Sequence, residues 1–175
     1  MFSTKAQLLK RTPQNGTDRE NFLSLLVDEY LNTTSYDAKC QVLANLANFA
    51  YDPVNYEFIR KIGVLDIFLY IVKNDNDCKL LLFSTAGISN LSIDPVNIEY
   101  IQTNLGLGPL INLLDYKHNE VVANIITILM NLYNDKTISE IKSSGVRLLM
   151  ENYSKSDDKI LSNLATIFHE VISIN

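Results

Sequence analysis

The chain has few of the residues that most often carry covalent or metal chemistry. Its 175 residues include two cysteines, two histidines and no tryptophan. Cys40 and Cys78 are too few for a disulfide framework and lack metal-ligand spacing, so we expect both to pack as small apolar side chains. His118 and His169 have no nucleophile in a recognisable arrangement beside them. We therefore predict no enzymatic activity, no metal site and no cofactor.

Basic charge and long apolar runs are also scarce. Lys and Arg number 15 against 20 Asp and Glu, which gives a formal net charge of −5. Because gripping a phosphate backbone requires a basic stripe, we expect any RNA contact to be indirect or weak and the partner to be a protein. No run approaches the ~18 apolar residues of a membrane span. The polar start lacks a signal-peptide core, so we expect an intracellular protein with no membrane or small-molecule partner.

The first residues differ in composition from the rest of the chain. Residues 1–16 are polar and are predicted to form a disordered tail, followed by one folded domain over residues 17–175. The early cluster Lys5, Lys10 and Arg11 is interpreted as part of a solvated tail, although RNA contact or a nuclear signal stays open.

An internal repeat organises the rest of the chain. Asp52–Asn55, with the sequence Asp-Pro-Val-Asn, recurs 42 residues later as Asp94–Asn97. A degraded third copy follows, in which Asn131 and Asp135 lie 41 residues beyond Asn90 and Asp94. A period of this length predicts a repeat protein rather than a fold built around a single core.

Each period divides into three helical stretches, illustrated by Pro53–Ile62, Gly63–Lys73 and Cys78–Ile93. Proline suits the first position of a helix and a preceding aspartate can cap it, so the Asp-Pro pairs predict helix starts. Glycines that tolerate positive φ are expected at the following bend, namely Gly63, Gly106 or Gly108, and Gly145. Three helices in about 42 residues are typical of armadillo repeats. We predict an all-α armadillo superhelix, a short right-handed solenoid of about four repeats with the first and last incomplete.

Helical spacing separates two faces of the third helices. The buried stripe is predicted to contain Val42, Leu43, Leu46, Phe49 and Ala50, then Ser84, Thr85, Ile88, Leu91 and Ser92, then Ile125, Ile126, Leu129, Leu132 and Tyr133. The other face should line the concave surface of the stack. Its candidate partner-binding residues are Gln41, Asn45, Asn48, Phe83, Asn90, Asn124, Ile128 and Asn131.

Asn48, Asn90 and Asn131 occupy equivalent positions and are called the amide ladder below. A primary amide both donates and accepts, so it can clamp an extended peptide by its backbone; alternatively, each amide bonds the adjacent loop of its own repeat. Phe83 and Ile128 suggest a hydrophobic contact site, unless Phe83 turns inward. Asp52, Asp94 and Asp135 could meet basic groups of a partner or simply cap the next helix.

Several segments resemble the armadillo repeat-containing protein 7 family. The resemblance extends over most of the chain, and the matching segments include 37–39, 41–53, 55–57, 64–66, 68–69, 90–91, 109–111 and 163–165. The resemblance implies a small nuclear protein that pairs with an RNA-recognition-motif protein, RNA-binding motif protein 48, and works with the minor spliceosome in pre-mRNA splicing.

An importin-like or catenin-like peptide-binding adaptor is the alternative function. The chain departs from the importin pattern, because Ala44, Ala86 and Thr127 stand where that pattern places tryptophan, one turn before each ladder asparagine. Without these rings to hold lysine stems, recognition of a nuclear localisation signal is not expected. An enzyme built on a helical-repeat fold is a third reading, and it would need an acid, base or nucleophile in a pocket.

Overall fold

The structure is a computed structural model that describes residues 2–4, 6–7 and 18–173. All regular secondary structure in these residues is helical. The chain divides into two compact units, Met1–Leu91 and Ser92–Asn175. Most of the predicted disordered tail, including Lys5, Lys10 and Arg11, lies outside the described residues, and its disorder stays a prediction.

From residue 18 onward, the described part of unit 1 contains five α-helices. They are α1 (Arg19–Asn32), α2 (Tyr36–Ala50), α3 (Tyr56–Lys61), α4 (Val64–Asn74) and α5 (Cys78–Leu91), with a 3-10 turn (Pro53–Asn55) before α3. Asp18 and Ser35 cap the first two helices by accepting hydrogen bonds from backbone N–H groups. Helices α2 and α5 are the third helices of successive repeats and pack against each other, while α4 packs on α5.

The described residues of unit 2 continue the pattern with six α-helices. They are α6 (Pro95–Asn104), α7 (Gly108–Asn112), α8 (Asn119–Asn131), α9 (Ile138–Ile141), α10 (Ser144–Tyr153) and α11 (Lys159–Ser173), with a 3-10 turn (Leu113–Asp115) after α7. The expectation of an incomplete last repeat is wrong. All three of its helices are present, although α9 is a single turn.

The repeated Asp-Pro-Val-Asn motif ends one helix and starts the next. Asp52 accepts a hydrogen bond from the backbone N–H of Val54, and Asp94 accepts from the N–H groups of Val96 and Asn97. The buried Asn55 donates its side-chain amide to the carbonyl oxygen of Phe49 at 2.8 Å. The motif thus satisfies backbone groups on both sides of a helix junction, which would otherwise lack partners.

The degraded third copy of the motif also satisfies backbone groups at its helix junction, but with different residues. The buried Thr137 donates its hydroxyl to the carbonyl oxygen of Leu132 at 2.8 Å, at the position equivalent to Phe49. Asn134, rather than Asp135, accepts from a backbone N–H, that of Lys136. Asp135 is exposed, and the first residue of α9 has no side-chain cap. Capping therefore explains Asp52 and Asp94 but not Asp135.

Glycine serves two different purposes in the fold. Gly63 and Gly106 have φ of 76° and 70°, as predicted for the bend after a first helix. Gly145 does not have a positive φ, because it lies inside α10. Gly87 of α5 is buried beneath the ring of Phe68, and a Cβ atom there would lie 2.3 Å from Phe68 Cε2. Gly87 therefore lets α4 and α5 approach closely.

The predicted buried stripe forms the core of the third helices. All of its members are buried except Phe49 and Tyr133, which are half-buried. Phe49 packs edge-on against Phe22 of α1, and the Arg19 guanidinium lies 4.9 Å from the centre of its ring. Leu46, Leu91 and Leu129 are completely buried. Among the described residues, no helix combines the length and apolar character needed to cross a membrane.

Candidate protein-binding face of the third helices

The face of the third helices opposite the buried stripe is mostly polar, as predicted. In unit 1, Gln41 and Asn48 are exposed, whereas Asn45, Phe83 and Asn90 are half-buried. In this unit the face therefore offers amide groups and one partly accessible aromatic ring. Such a combination suits a protein ligand, whose backbone needs hydrogen bonds and whose apolar side chains need a contact surface.

Asn90 is held in place by two hydrogen bonds of different kinds. Its side-chain Nδ2 donates to the carbonyl oxygen of Ala47 at 3.1 Å, which links α5 to the C-terminal end of α2. Its own backbone carbonyl accepts a hydrogen bond from the Tyr56 hydroxyl at 2.8 Å. The amide of Asn90 thus bonds the preceding repeat, which neither of the two sequence-based interpretations anticipated.

Asn131 makes a comparable bond within unit 2. Its Nδ2 donates to the hydroxyl oxygen of Ser92, at the start of that unit, at 3.0 Å. An asparagine amide carries two N–H donors and one acceptor oxygen, so Asn90 and Asn131 each use only part of their capacity. The internal bond also fixes the orientation of each amide, which reduces the entropy that a ligand must overcome.

Asn48 differs from the other two members of the amide ladder. Its side chain is exposed and pairs with no group among the described residues. Between residues 18 and 35, the described part of the chain has one helix, α1, ahead of α2. Asn48 therefore keeps its whole hydrogen-bonding capacity for an external partner.

Two predicted site residues of unit 2 differ in their exposure to solvent. Asn124 is half-buried on α8, which is compatible with a surface role. The prediction that Ile128 lies at the surface is wrong, because its side chain is completely buried. Gly87, which occupies the equivalent position on α5, is also buried, and Ile128 joins Ile125 and Leu129 in the core. The hydrophobic contact site is thereby reduced to Phe83.

Hydrogen bonds also join the N-terminal ends of neighbouring third helices. In unit 1 the Tyr36 hydroxyl donates to Asp77 Oδ1 at 2.9 Å, and in unit 2 Asn119 Nδ2 donates to Asp158 Oδ2 at 2.7 Å. The backbone N–H of Leu80 is the main cause of a lowered pKa for Asp77. For Asp158, the Asn119 amide contributes most to the lowered pKa. Both carboxylates are stabilised in their charged form.

The described cysteines and acidic residues do not form a recognisable metal site. Among the described residues there is no group of three or more His, Cys, Asp or Glu side chains placed to hold a metal ion. Cys40 is buried on α2, and Cys78 is half-buried at the first position of α5. The arrangement of amides and apolar groups supports the binding of a protein ligand.

Comparison with known proteins identifies the family. No protein-family model matches the chain. The mouse armadillo repeat-containing protein 7 is 41% identical over 167 residues, which cover 94% of this chain and 83% of the mouse protein. The chain belongs to the armadillo repeat-containing protein 7 family.

Solved structures confirm the fold of this family member as an armadillo repeat fold. A computationally designed armadillo protein for modular peptide recognition superimposes with a TM-score of 0.72 at 20% identity, covering 85% of this chain and 63% of the designed one. A designed armadillo protein in complex with the peptide (KR)4 gives a TM-score of 0.70 at 20% identity, covering 86% of this chain and 64% of its own. The chain thus spans less than two thirds of these designed proteins.

The sequence interpretation missed several residues that shape the face. Tyr56 binds the backbone of Asn90, yet its counterpart 42 residues later is Ile98, so the repeat contains no signal for this contact. Ser92 belongs to the predicted buried stripe, but the sequence gives no indication that its hydroxyl oxygen accepts a hydrogen bond from the Asn131 amide. A serine among apolar stripe residues could have suggested a polar partner nearby.

Proposed function

We propose that this chain is a protein-binding armadillo scaffold whose third-helix face takes an extended segment of a partner protein. The observation that carries the proposal is the state of the amide ladder. Asn48 is exposed without an internal partner, while Asn90 is oriented by Ala47 and keeps one donor and its acceptor oxygen. Both the unpaired amide of Asn48 and the oriented amide of Asn90 can bond the backbone of an extended peptide, whatever its side chains are.

The family supports a more specific assignment. By its resemblance to armadillo repeat-containing protein 7, we propose a nuclear protein that pairs with an RNA-recognition-motif protein, RNA-binding motif protein 48, in minor-intron splicing. The net charge of −5 makes the partner the main source of RNA contacts, because a phosphate backbone repels an acidic surface. The scaffold would then hold an RNA-binding protein rather than RNA itself.

Titration calorimetry with purified RNA-binding motif protein 48 tests this proposal. Asn48→Ala should weaken binding by about 1 kcal/mol, the contribution of one hydrogen bond, without affecting an internal contact. Replacing both Phe83 and Asn90 by alanine should cost ~2 kcal/mol or more if they are interface anchors. Tyr70→Ala, an equally simple truncation of a 69% exposed residue on the second helix α4, serves as the control and should bind like wild type.

Two results would contradict the assignment. If both variants bind as tightly as wild type while circular dichroism shows them folded, the third-helix face is not the docking site. If the chain instead binds the basic peptide (KR)4 tightly and the RNA-recognition-motif protein weakly, the importin-like or catenin-like adaptor is the better description. Cell fractionation of the tagged protein would test the proposed nuclear location independently.

A further inference from the structure

The last third helix, α11, has an apolar strip along one of its faces. Ile160 is 63% exposed and Ile167 is 46% exposed, while Leu164 and Val171 are half-buried. These four side chains are called the α11 strip. They follow one another at intervals of four, three and four residues, so they lie along the same side of the helix. This spacing is typical of the seam along which two helices pack.

The equivalent positions of the other third helices show that the strip is particular to α11. Counted from the residue before each helix, those positions have charged, amide, hydroxyl or small side chains, with one aromatic exception. They are Asp37, Gln41, Ala44 and Asn48 on α2, Lys79, Phe83, Ala86 and Asn90 on α5, and Glu120, Asn124, Thr127 and Asn131 on α8. Four aliphatic side chains at such positions form a patch, which differs from apolar residues scattered singly over a surface.

A neighbouring side of α11 shows that the strip is not the surface on which repeats stack. Ile126 and Leu129 are completely buried on α8, which packs against α11. Their equivalents on α11 are Thr166, which is exposed, and His169, which is half-buried. A polar side of this kind does not need to be covered by a further repeat. The α11 strip lies on a different side of the helix and calls for another kind of partner.

Exposed polar residues follow one edge of the α11 strip and place opposite charges at its two ends. Lys159 begins α11, Glu170 lies in its last turn, and Asn163 lies between them. Neither charged group forms an ion pair with another described residue. When two such helices run antiparallel, Lys159 of one approaches Glu170 of the other. Because the four-three-four spacing reads the same in both directions, the strip is complementary to itself in both apolar spacing and charge.

We propose that the α11 strip pairs in antiparallel fashion with the same strip of a second copy of this chain. Ile160 then faces Val171 of the other copy, and Leu164 faces Ile167, so that these side chains shield one another from water. The contact is isologous and closes with two copies, because both use the same surface. A helix of a different protein would have to reproduce the apolar spacing and the order of charges, whereas a second copy supplies both.

The size of the strip sets the strength of the contact. From its first to its last residue the strip spans roughly 17 Å of helix, since each residue rises about 1.5 Å. Such a contact is smaller than the roughly 800 Å² per partner of a standard interface between folded proteins. The dimer is therefore weak, and its population depends on protein concentration.

Analytical ultracentrifugation of the purified full chain, at concentrations from roughly 10 μM to 1 mM, tests the proposal. The average mass should rise from that of the monomer toward that of the dimer across this range. Ile167→Ser should weaken dimerisation by about tenfold or more, because each dimer loses two aliphatic side chains from the contact. Leu148→Ser, at a 60% exposed position on α10, is the matched control and should dimerise like wild type.

Charge reversal tests the antiparallel orientation. Lys159→Glu and Glu170→Lys each bring like charges together at both ends of the dimer, so either variant alone should dimerise about tenfold more weakly at low salt. A mixture of the two variants should associate about as well as wild type, because opposite charges then meet at both ends. Circular dichroism checks that every variant is folded.

Three results would overturn the proposal. A wild-type chain that stays monomeric up to about 1 mM would leave the strip to a helix of a different protein. An Ile167→Ser chain that dimerises like wild type would place the contact on another surface. Single charge reversals that associate as tightly as their mixture would exclude the antiparallel pairing of Lys159 with Glu170.

Discussion

The side-chain amide of Asn90 donates a hydrogen bond to the carbonyl oxygen of Ala47 at 3.1 Å, joining the ends of two neighbouring third helices. This carbonyl belongs to the last turn of α2. Carbonyl groups in the last turn of a helix have no following helical N–H to bond, so they need partners from elsewhere. The same amide is a candidate for peptide binding. Asn90 is thus both a structural residue and a proposed binding residue, whereas Asn48 is a proposed binding residue without an internal bond.

Removing the Asn90 amide should destabilise the fold. We expect Asn90→Ala to lower the free energy of unfolding by about 1–2 kcal/mol, because the carbonyl of Ala47 loses its partner in a partly buried setting. Urea denaturation followed by circular dichroism measures the effect. Asn48→Ala is the matched control and should stay within about 0.5 kcal/mol of wild type. Equal stabilities for the two variants would show that the Asn90 bond contributes nothing.

A side chain at position 87 should push α4 and α5 apart. Gly87→Ala places a Cβ atom 2.3 Å from Phe68 Cε2, and we expect overpacking to cost roughly 1–3 kcal/mol in unfolding free energy. Phe68→Leu in the same chain should recover part of this loss, since the smaller side chain leaves room for the methyl group. A double-mutant cycle by thermal or urea denaturation measures the coupling. Strictly additive effects would contradict the proposed contact.

Truncation within the buried stripe should affect stability strongly. Leu46 and Leu91 are completely buried on α2 and α5, so either leucine-to-alanine change should cost about 2–5 kcal/mol. Leu148→Ala, at a 60% exposed position, should change the free energy of unfolding by no more than about 0.5 kcal/mol. Thermal unfolding of Leu46→Ala within a degree or two of wild type would show that the stripe was misassigned.

Acid should weaken the contacts between the N-terminal ends of the third helices. The pKa of Asp77 is lowered on folding, chiefly by the backbone N–H of Leu80, so its stabilising effect is present above the unfolded pKa of about 3.9. That effect is lost as the pH falls through the lower folded value, because protonation then removes the charge that the donors stabilise. Unfolding free energies measured between pH 7 and pH 3 should therefore fall less steeply for Asp77→Ser than for wild type.

Tyr36→Phe provides the control for the acid experiment. It removes the hydroxyl that donates to Asp77 but keeps the backbone donor that contributes most to the lowered pKa. Most of the pH dependence should remain in this variant. If Asp77→Ser has the same pH dependence as wild type, the lowered pKa of Asp77 does not contribute to stability.

Local sequence determined the repeat architecture. The two Asp-Pro-Val-Asn copies predicted helix starts, and both aspartates cap helices as expected. The apolar spacing of the third helices predicted the buried stripe with two exceptions, Phe49 and Tyr133, because helical periodicity depends only on residues close in the chain. The prediction that Gly145 lies at the bend between two helices was wrong, because this glycine lies inside α10.

Only the tertiary structure decided which groups of the predicted face are available to a partner. Ile128 occupies a position equivalent to the polar side of α2, yet it is buried, because burial depends on the neighbouring helices and not on its own helix alone. The bonds of Asn90 and Asn131 reach back 43 and 39 residues, to acceptors that no local pattern marks. Helical period follows from backbone geometry within a few residues, whereas the partners of a side chain depend on how distant segments pack.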